Sequence, residues 1–301
     1  MKPYFLSALH PLKPRALRGT PEGDLCLVDW RERRVLHRWS AGSALCAVAF
    51  HPERDLAASL GPEGVQVWED DRRVAAFPHP GDNLALVGDR LLVASPGKLK
   101  GLDLATGSVV FELERSGLVH PALLAVSDEL VGWSAMAATE ILLLRPDTGQ
   151  VVRTLGSLGE VFSLSFHPDG KRLLACVTDR PRNVLNVVRT WSLVSGEPER
   201  HFPVPFLSVA LRVSPDGAWV VTGDAMGAQL WDFAQGQPER RFARREAASI
   251  GGLELERPKA GLVSALRLDG DTLVTDGAEL AAWQFGSGEL LWSLEVSPAD
   301  V

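Results

Sequence analysis

Seven histidines, three cysteines and an excess of carboxylates are the residues of this 301-residue chain that could bind a metal, attack a carbonyl or move a proton. His51 and His167 hold the same place in a recurring Phe-His-Pro turn, and His10 also precedes a proline, so repetition accounts for all three. His37, His79, His120 and His201 are scattered, and no ligand spacing gathers them. Cys26, Cys46 and Cys176 form an odd, sparse set without a CxxC pair, which supplies neither a disulfide framework nor a zinc site. Cys46 and Cys176 lie in the apolar runs ALCAVAF and LLACVT and read as small buried hydrophobes. There is no GxSxG elbow and no P-loop. Asp224 and Asp276, in TGD and TDG, read as turn braces. No catalytic, cofactor-binding or metal-binding residue is therefore assigned, and the expectation is a protein that is not an enzyme.

Recognition chemistry is better represented. Two long irregular segments, 177–186 and 243–261, carry Arg180, Arg182, Asn183, Arg244, Arg245, Arg257 and Lys259. The planar guanidinium fork pairs bidentately with carboxylate or phosphate, so these residues are candidates for holding an anionic or protein partner. The plainer reading is that the charges keep exposed insertions solvated. Trp133, in ELVGWSAMAATE, is the aromatic placed to reach a binding face, although core packing is slightly favoured for it.

The elements that would position these residues come from a repeat. RTWSLVSGEPERHF, AQLWDFAQGQPERRF and LAAWQFGSGELLWSL align on Trp191, Trp231 and Trp283. Backwards, the same column runs through Leu144, Leu102, Trp68 and Val28, giving seven positions separated by 34 to 52 residues. A glycine stands five residues after the column in five copies (Gly107, Gly149, Gly196, Gly236 and Gly288), where a turn needs positive φ. The first two copies have charged residues instead. A second motif, FHPERDLAAS, FHPDGKRLLAC and VSPDGAWVVTG, joins strand to strand through a tight turn. Each unit reads as four short strands, a sheet that cannot cover both its faces alone. The expected fold is all-β, a seven-bladed β-propeller with four antiparallel strands per blade. It forms one domain over 1–301, with blades at about 1–40, 41–78, 79–114, 115–156, 157–203, 204–243 and 244–301.

The segment 214–236, SPDGAWVVTGDAMGAQLWDFAQG with Trp231-Asp232, resembles the WD-repeat consensus. The resemblance is strong around Trp191 and Trp231 and moderate around Trp68. It implies a rigid disc that binds another protein through one face. No Gly-His dipeptide opens a repeat, so the family's buried Ser/Thr–His–Asp–Trp network is not carried over. In such a disc, loops between second and third strands emerge on the same face as the links between blades. Segments 177–186 and 243–261 then share a rim, one blade apart. Each terminus is expected to supply a complete blade, without a strand exchanged across the seam.

With 46% hydrophobic and 23% charged residues, the chain can bury a core. A net charge of −7 disfavours nucleic acid and anionic membranes as partners. The start, MKPYFLSALHPLKPRALRG, lacks the apolar region of a secretory signal, and no run reaches the ~18 apolar residues of a membrane span, so a cytoplasmic location is expected. Abundant Arg and Leu with little Ile and Asn suggest a GC-rich, bacterial source. The leading function is a non-catalytic protein-interaction scaffold without cofactor. The alternative is an enzymatic propeller with a quinone-type cofactor or metal in its central channel, because DLATGSVVFEL and GSGELLWSL resemble repeats of quinone-cofactor dehydrogenases.

Overall fold

Runs such as DLCLVD, GVQVWE and GAQLWD are short, rich in Val, Leu and Trp, and bounded by turn residues, which favours strands. In the computed structural model they are strands throughout. The structure describes residues 6–294, except 117, 119, 158, 180–184, 244, 251, 252, 259–262 and 278. The described strands make seven four-stranded antiparallel sheets and one separate two-stranded hairpin. The first sheet takes Leu6–Leu9, Arg15–Gly19, Asp24–Asp29 and Arg34–Ser40 in chain order. The other blades fall within 47–77, 83–114, 122–156, 160–204, 210–242 and 263–294. The first strand of every sheet touches that of the next, from Leu6–Leu9 round to Val263–Asp269 and back to the start. Seven sheets whose innermost strands close a ring form a seven-bladed β-propeller.

The turn after the column behaves as the glycines require. Gly107, Gly149, Gly196, Gly236 and Gly288 have φ between 68° and 81°. In blade one Arg33 occupies that position and still adopts φ 56°. Blade two shortens the turn, with Glu69 opposite Arg72 and Asp70 at φ 53°.

The column residues pack between blades. Trp68, Trp191, Trp231 and Trp283 are all buried, each in a cluster shared with the preceding blade. The register explains how the aliphatic members fill the same space. On the second strand, two residues beyond the partner of each column residue, stand Ser59, Ala175, Thr222 and Thr275 where the column is Trp. Where it is Val28, Leu102 or Leu144, that place holds the larger Arg18, Val93 or Trp133. Bulk is exchanged between two neighbouring strands, which keeps the interblade layer filled at near-constant volume. Three indoles also donate to the small partner: Trp68 to Ser59 (2.9 Å), Trp231 to Thr222 (2.9 Å) and Trp283 to Thr275 (3.0 Å). A buried hydroxyl–indole hydrogen bond is therefore repeated in three blades. In blade five, with Ala175 there, Trp191 donates to the Gly156 carbonyl instead, at 3.2 Å.

The histidine turns are structural. The ring Nδ1 of His51 accepts the amides of Glu53 and Arg54 (3.1 and 3.0 Å), which leaves Nε2–H to donate to Gly88 in the next blade at 2.8 Å. His167 repeats this with the amide of Asp169 and the carbonyl of Gly217, both at 3.2 Å. Each such ring ties its own turn to the neighbouring blade.

Blades one and seven are each complete, so the ring closes without an exchanged strand. The seam buries Ala16, Cys26, Val28 and Trp30 against Val274 and Leu280. A fully buried ion pair joins Arg18 Nε to Asp276 Oδ1 at 3.1 Å, and Arg18 also donates to the Gly277 carbonyl at 2.9 Å. Arg267 donates to the carbonyls of His10 and Lys13, and Arg31 pairs with Asp269 at 2.6 Å. Asp276 thus does more than brace a turn: it anchors the closing blade to the first.

Candidate functional site

Loop length decides which parts of the ring reach outward. In blade five the second and third strands, Arg172–Asp179 and Leu185–Ser192, pair as far as Asp179 opposite Leu185, the longest such ladder among the blades. Arg180, Arg182 and Asn183 lie in 180–184, outside the described residues, as do Arg244 and Lys259. The link from blade six to blade seven was expected to be irregular. It instead contains an antiparallel hairpin, Arg245–Ile250 with Leu253–Pro258, that pairs with no blade. Its register sets Arg245 opposite Pro258 and Glu246 opposite Arg257, so Arg257 has a carboxylate residue as its cross-strand neighbour. The two segments leave the ring on one face, because the loop between second and third strands and the blade-to-blade link lie at the same end of every sheet.

Between them the same face carries a feature the sequence reading missed. The link after the fourth strand of blade five, Pro198–Val204, exposes Phe206 and Leu207 at 45% and 41% of their surfaces. Arg241 lies over the Phe206 ring at 5.2 Å and pairs with Asp224 at 2.5 Å. Burial pushes the Asp224 carboxyl up, while the Met226 amide at 2.7 Å and Arg241 pull it back. Arg241 is thereby fixed as a flat platform beside two exposed apolar side chains. The available signal was VPFLSV, an apolar pair following proline in a link rather than in a strand.

Two expectations are corrected. Trp133 is 1% exposed and packs with Leu92, Leu99 and Leu144 between blades three and four, because it supplies the bulk that Leu144 lacks; it does not reach the rim. Cys46 is exposed, not buried like Cys26 and Cys176, because it ends the blade one-to-two link just before the innermost strand Ala47–Phe50. Its thiol shares its proton between the carbonyls of Gly81 and Leu60 at 3.1 and 3.3 Å, and partial desolvation of the sulfur, which faces the protein while the rest of the residue is exposed, pushes its pKa up to about 11.

A cavity between blades one and two is lined by His10, Leu17, Trp39 and Phe50 and leaves about 10 Å³, room for a single water. It suits hydration of the unpartnered His10 Nε2 and Trp39 Nε1 and not an organic ligand. Among the described residues no group of three or more His, Cys, Asp or Glu is arranged to hold a metal ion, and no helix is long and apolar enough to cross a membrane.

The family model described as WD domain, G-beta repeat matches residues 149–180. No curated protein matches the chain. Among solved structures, the computationally designed Ika8 protein (crystal packing No. 1 in P63) is 18% identical, with a TM-score of 0.70 over all of this chain and 90% of that one. That likeness is one of fold.

Proposed function

We propose that the protein is a non-catalytic interaction scaffold of WD-repeat type, from a bacterial source and acting in the cytoplasm, that captures a partner protein on the rim of blades five to seven. The exposed pair Phe206 and Leu207 beside Arg241 carries this reading, because apolar side chains next to an arginine are the composition of a protein-binding surface. The loop that follows Asp179 and the link that follows Phe242, which carry further arginines in sequence, leave the ring at the same end as this pair. A partner suited to this rim presents apolar side chains among carboxylates.

The test replaces Arg180, Arg182, Arg244 and Arg245 together by Glu. The variant should retain the wild-type melting temperature and lose the protein that co-purifies from the native cell. Unchanged co-purification by a folded variant rejects the rim as the docking site.

A further inference from the structure

One register slot of the innermost strands separates blades six and seven from the rest. It lies one residue before the inner-strand partner of the second strand's column neighbour. Ala8, Ala49, Ala85, Ala125 and Ser165 fill it in blades one to five. Arg212 and Arg267 fill it in blades six and seven. Small residues let adjacent inner strands approach closely, so two arginines in this slot need a reason.

Arg267 has one. Its guanidinium donates to the carbonyls of His10 and Lys13, lies over Trp30 at 5.4 Å and sits 3.5 Å from Asp269, fastening blade seven to the long first turn of blade one. Arg212 has no counterpart to these contacts. The blade seven turn that follows its neighbouring strand is short, with Asp269 directly opposite Thr272. Among the described residues, the one hydrogen bond of Arg212 runs from Nη1 to the carbonyl of its own neighbour Leu211, at 2.9 Å, and no carboxylate lies within ion-pair distance.

The direction of the side chain follows from alternation. Leu211 and Val213 pack into the cluster shared with blade five, and Ala210 into the cluster shared with blade seven. Arg212 therefore points to the blade seven side. Among the described residues of the seven innermost strands only Arg212 and Ser264 are exposed, and they belong to neighbouring blades. The innermost strands of a propeller surround its central channel, and an exposed side chain on one of them faces that channel or its mouth. Burial nevertheless lowers the pKa of Arg212, as expected of a cation that water can reach but protein surrounds.

We propose that the central channel contains an anion-binding site centred on Arg212, taking a small phosphate or carboxylate whose paired oxygens match the guanidinium fork. This site lies inside the ring and does not rest on the blade five-to-seven rim.

Titration calorimetry with inorganic phosphate, and separately with acetate, tests it at constant ionic strength. Saturable one-site binding of at least one anion by wild type is expected, with affinity at least tenfold weaker in Arg212→Gln and partly kept in Arg212→Lys. Arg72→Gln, which removes an exposed arginine from the outer edge of blade two, should bind as wild type does and so separates the site from general salt effects. Without added anion, Arg212→Gln should melt no lower than wild type, because an unpaired cation walled by protein contributes no stability. Absence of wild-type binding to both anions, undiminished binding in Arg212→Gln, or a lower melting temperature of that variant without anion would each overturn the proposal.

Discussion

Replacing Asp276 by Asn isolates the energetics of the seam. Asp276 is fully buried against Arg18, and burial pushes its carboxyl from the ordinary 3.8 up to about 6, although Arg18 pulls the other way. A carboxyl whose pKa is higher folded than unfolded stabilises the fold through its protonated form. That contribution is complete below pH 3.8 and is lost as pH rises through 6. The interval of roughly two pH units corresponds to about 3 kcal/mol. Asn keeps the shape and never ionises, so D276N does not lose that amount. His10 runs in the opposite sense. Burial, then Lys13, hold its imidazole down from 6.5 to about 4, so its contribution is present above pH 6.5 and is lost as pH falls through 4. The two slopes offset one another in the wild-type curve, and only the difference between the proteins isolates Asp276. Urea unfolding followed by tryptophan fluorescence at steps between about pH 4 and about pH 8 measures that difference. D276N should gain on wild type by about 3 kcal/mol across the range. A constant difference, or a gain by wild type, would show that attraction to Arg18 outweighs desolvation and refute the reasoning.

Three further outcomes test the packing. Trp133→Ala should cost about 3–5 kcal/mol in chemical denaturation while leaving partner capture unchanged, because the indole fills the layer between blades three and four. Thr222→Val should cost about 1–2 kcal/mol, since it removes the acceptor of a buried indole N–H at nearly constant volume; an unchanged melting temperature would mean that water replaces the hydroxyl. Ala137, at φ 62° in the loop between the second and third strands of blade four, should stabilise the protein by about 1 kcal/mol on replacement by Gly, measured by the shift in the urea midpoint.

The architecture was legible because its signals are local. The Trp column, the glycine five residues later and the His-Pro turns each sit within one hairpin, and their recurrence counts the blades. The exchange of bulk between Leu144 and Trp133, or Val28 and Arg18, was hidden because it couples two strands through register, which a single column does not display. Trp133 consequently looked like a spare aromatic. The hairpin at 245–258 had a signal in Gly251-Gly252 between REAASI and LELERP, but their charges resemble a solvated link. Cys46 was misread because ALCAVAF joins the end of a link to an innermost strand, so apolar neighbours in sequence are not walls in space. The arginine slot is defined by strand register across all seven blades, which no local sequence signal carries.

Hydrogen exchange of the protein alone and with its captured partner tests the docking account most directly. Peptides covering 177–186, 205–209 and 243–261 should gain protection on binding, while the turns at the opposite end of blades five to seven remain unchanged. Protection confined to those opposite turns, or to blades one to four, would contradict it.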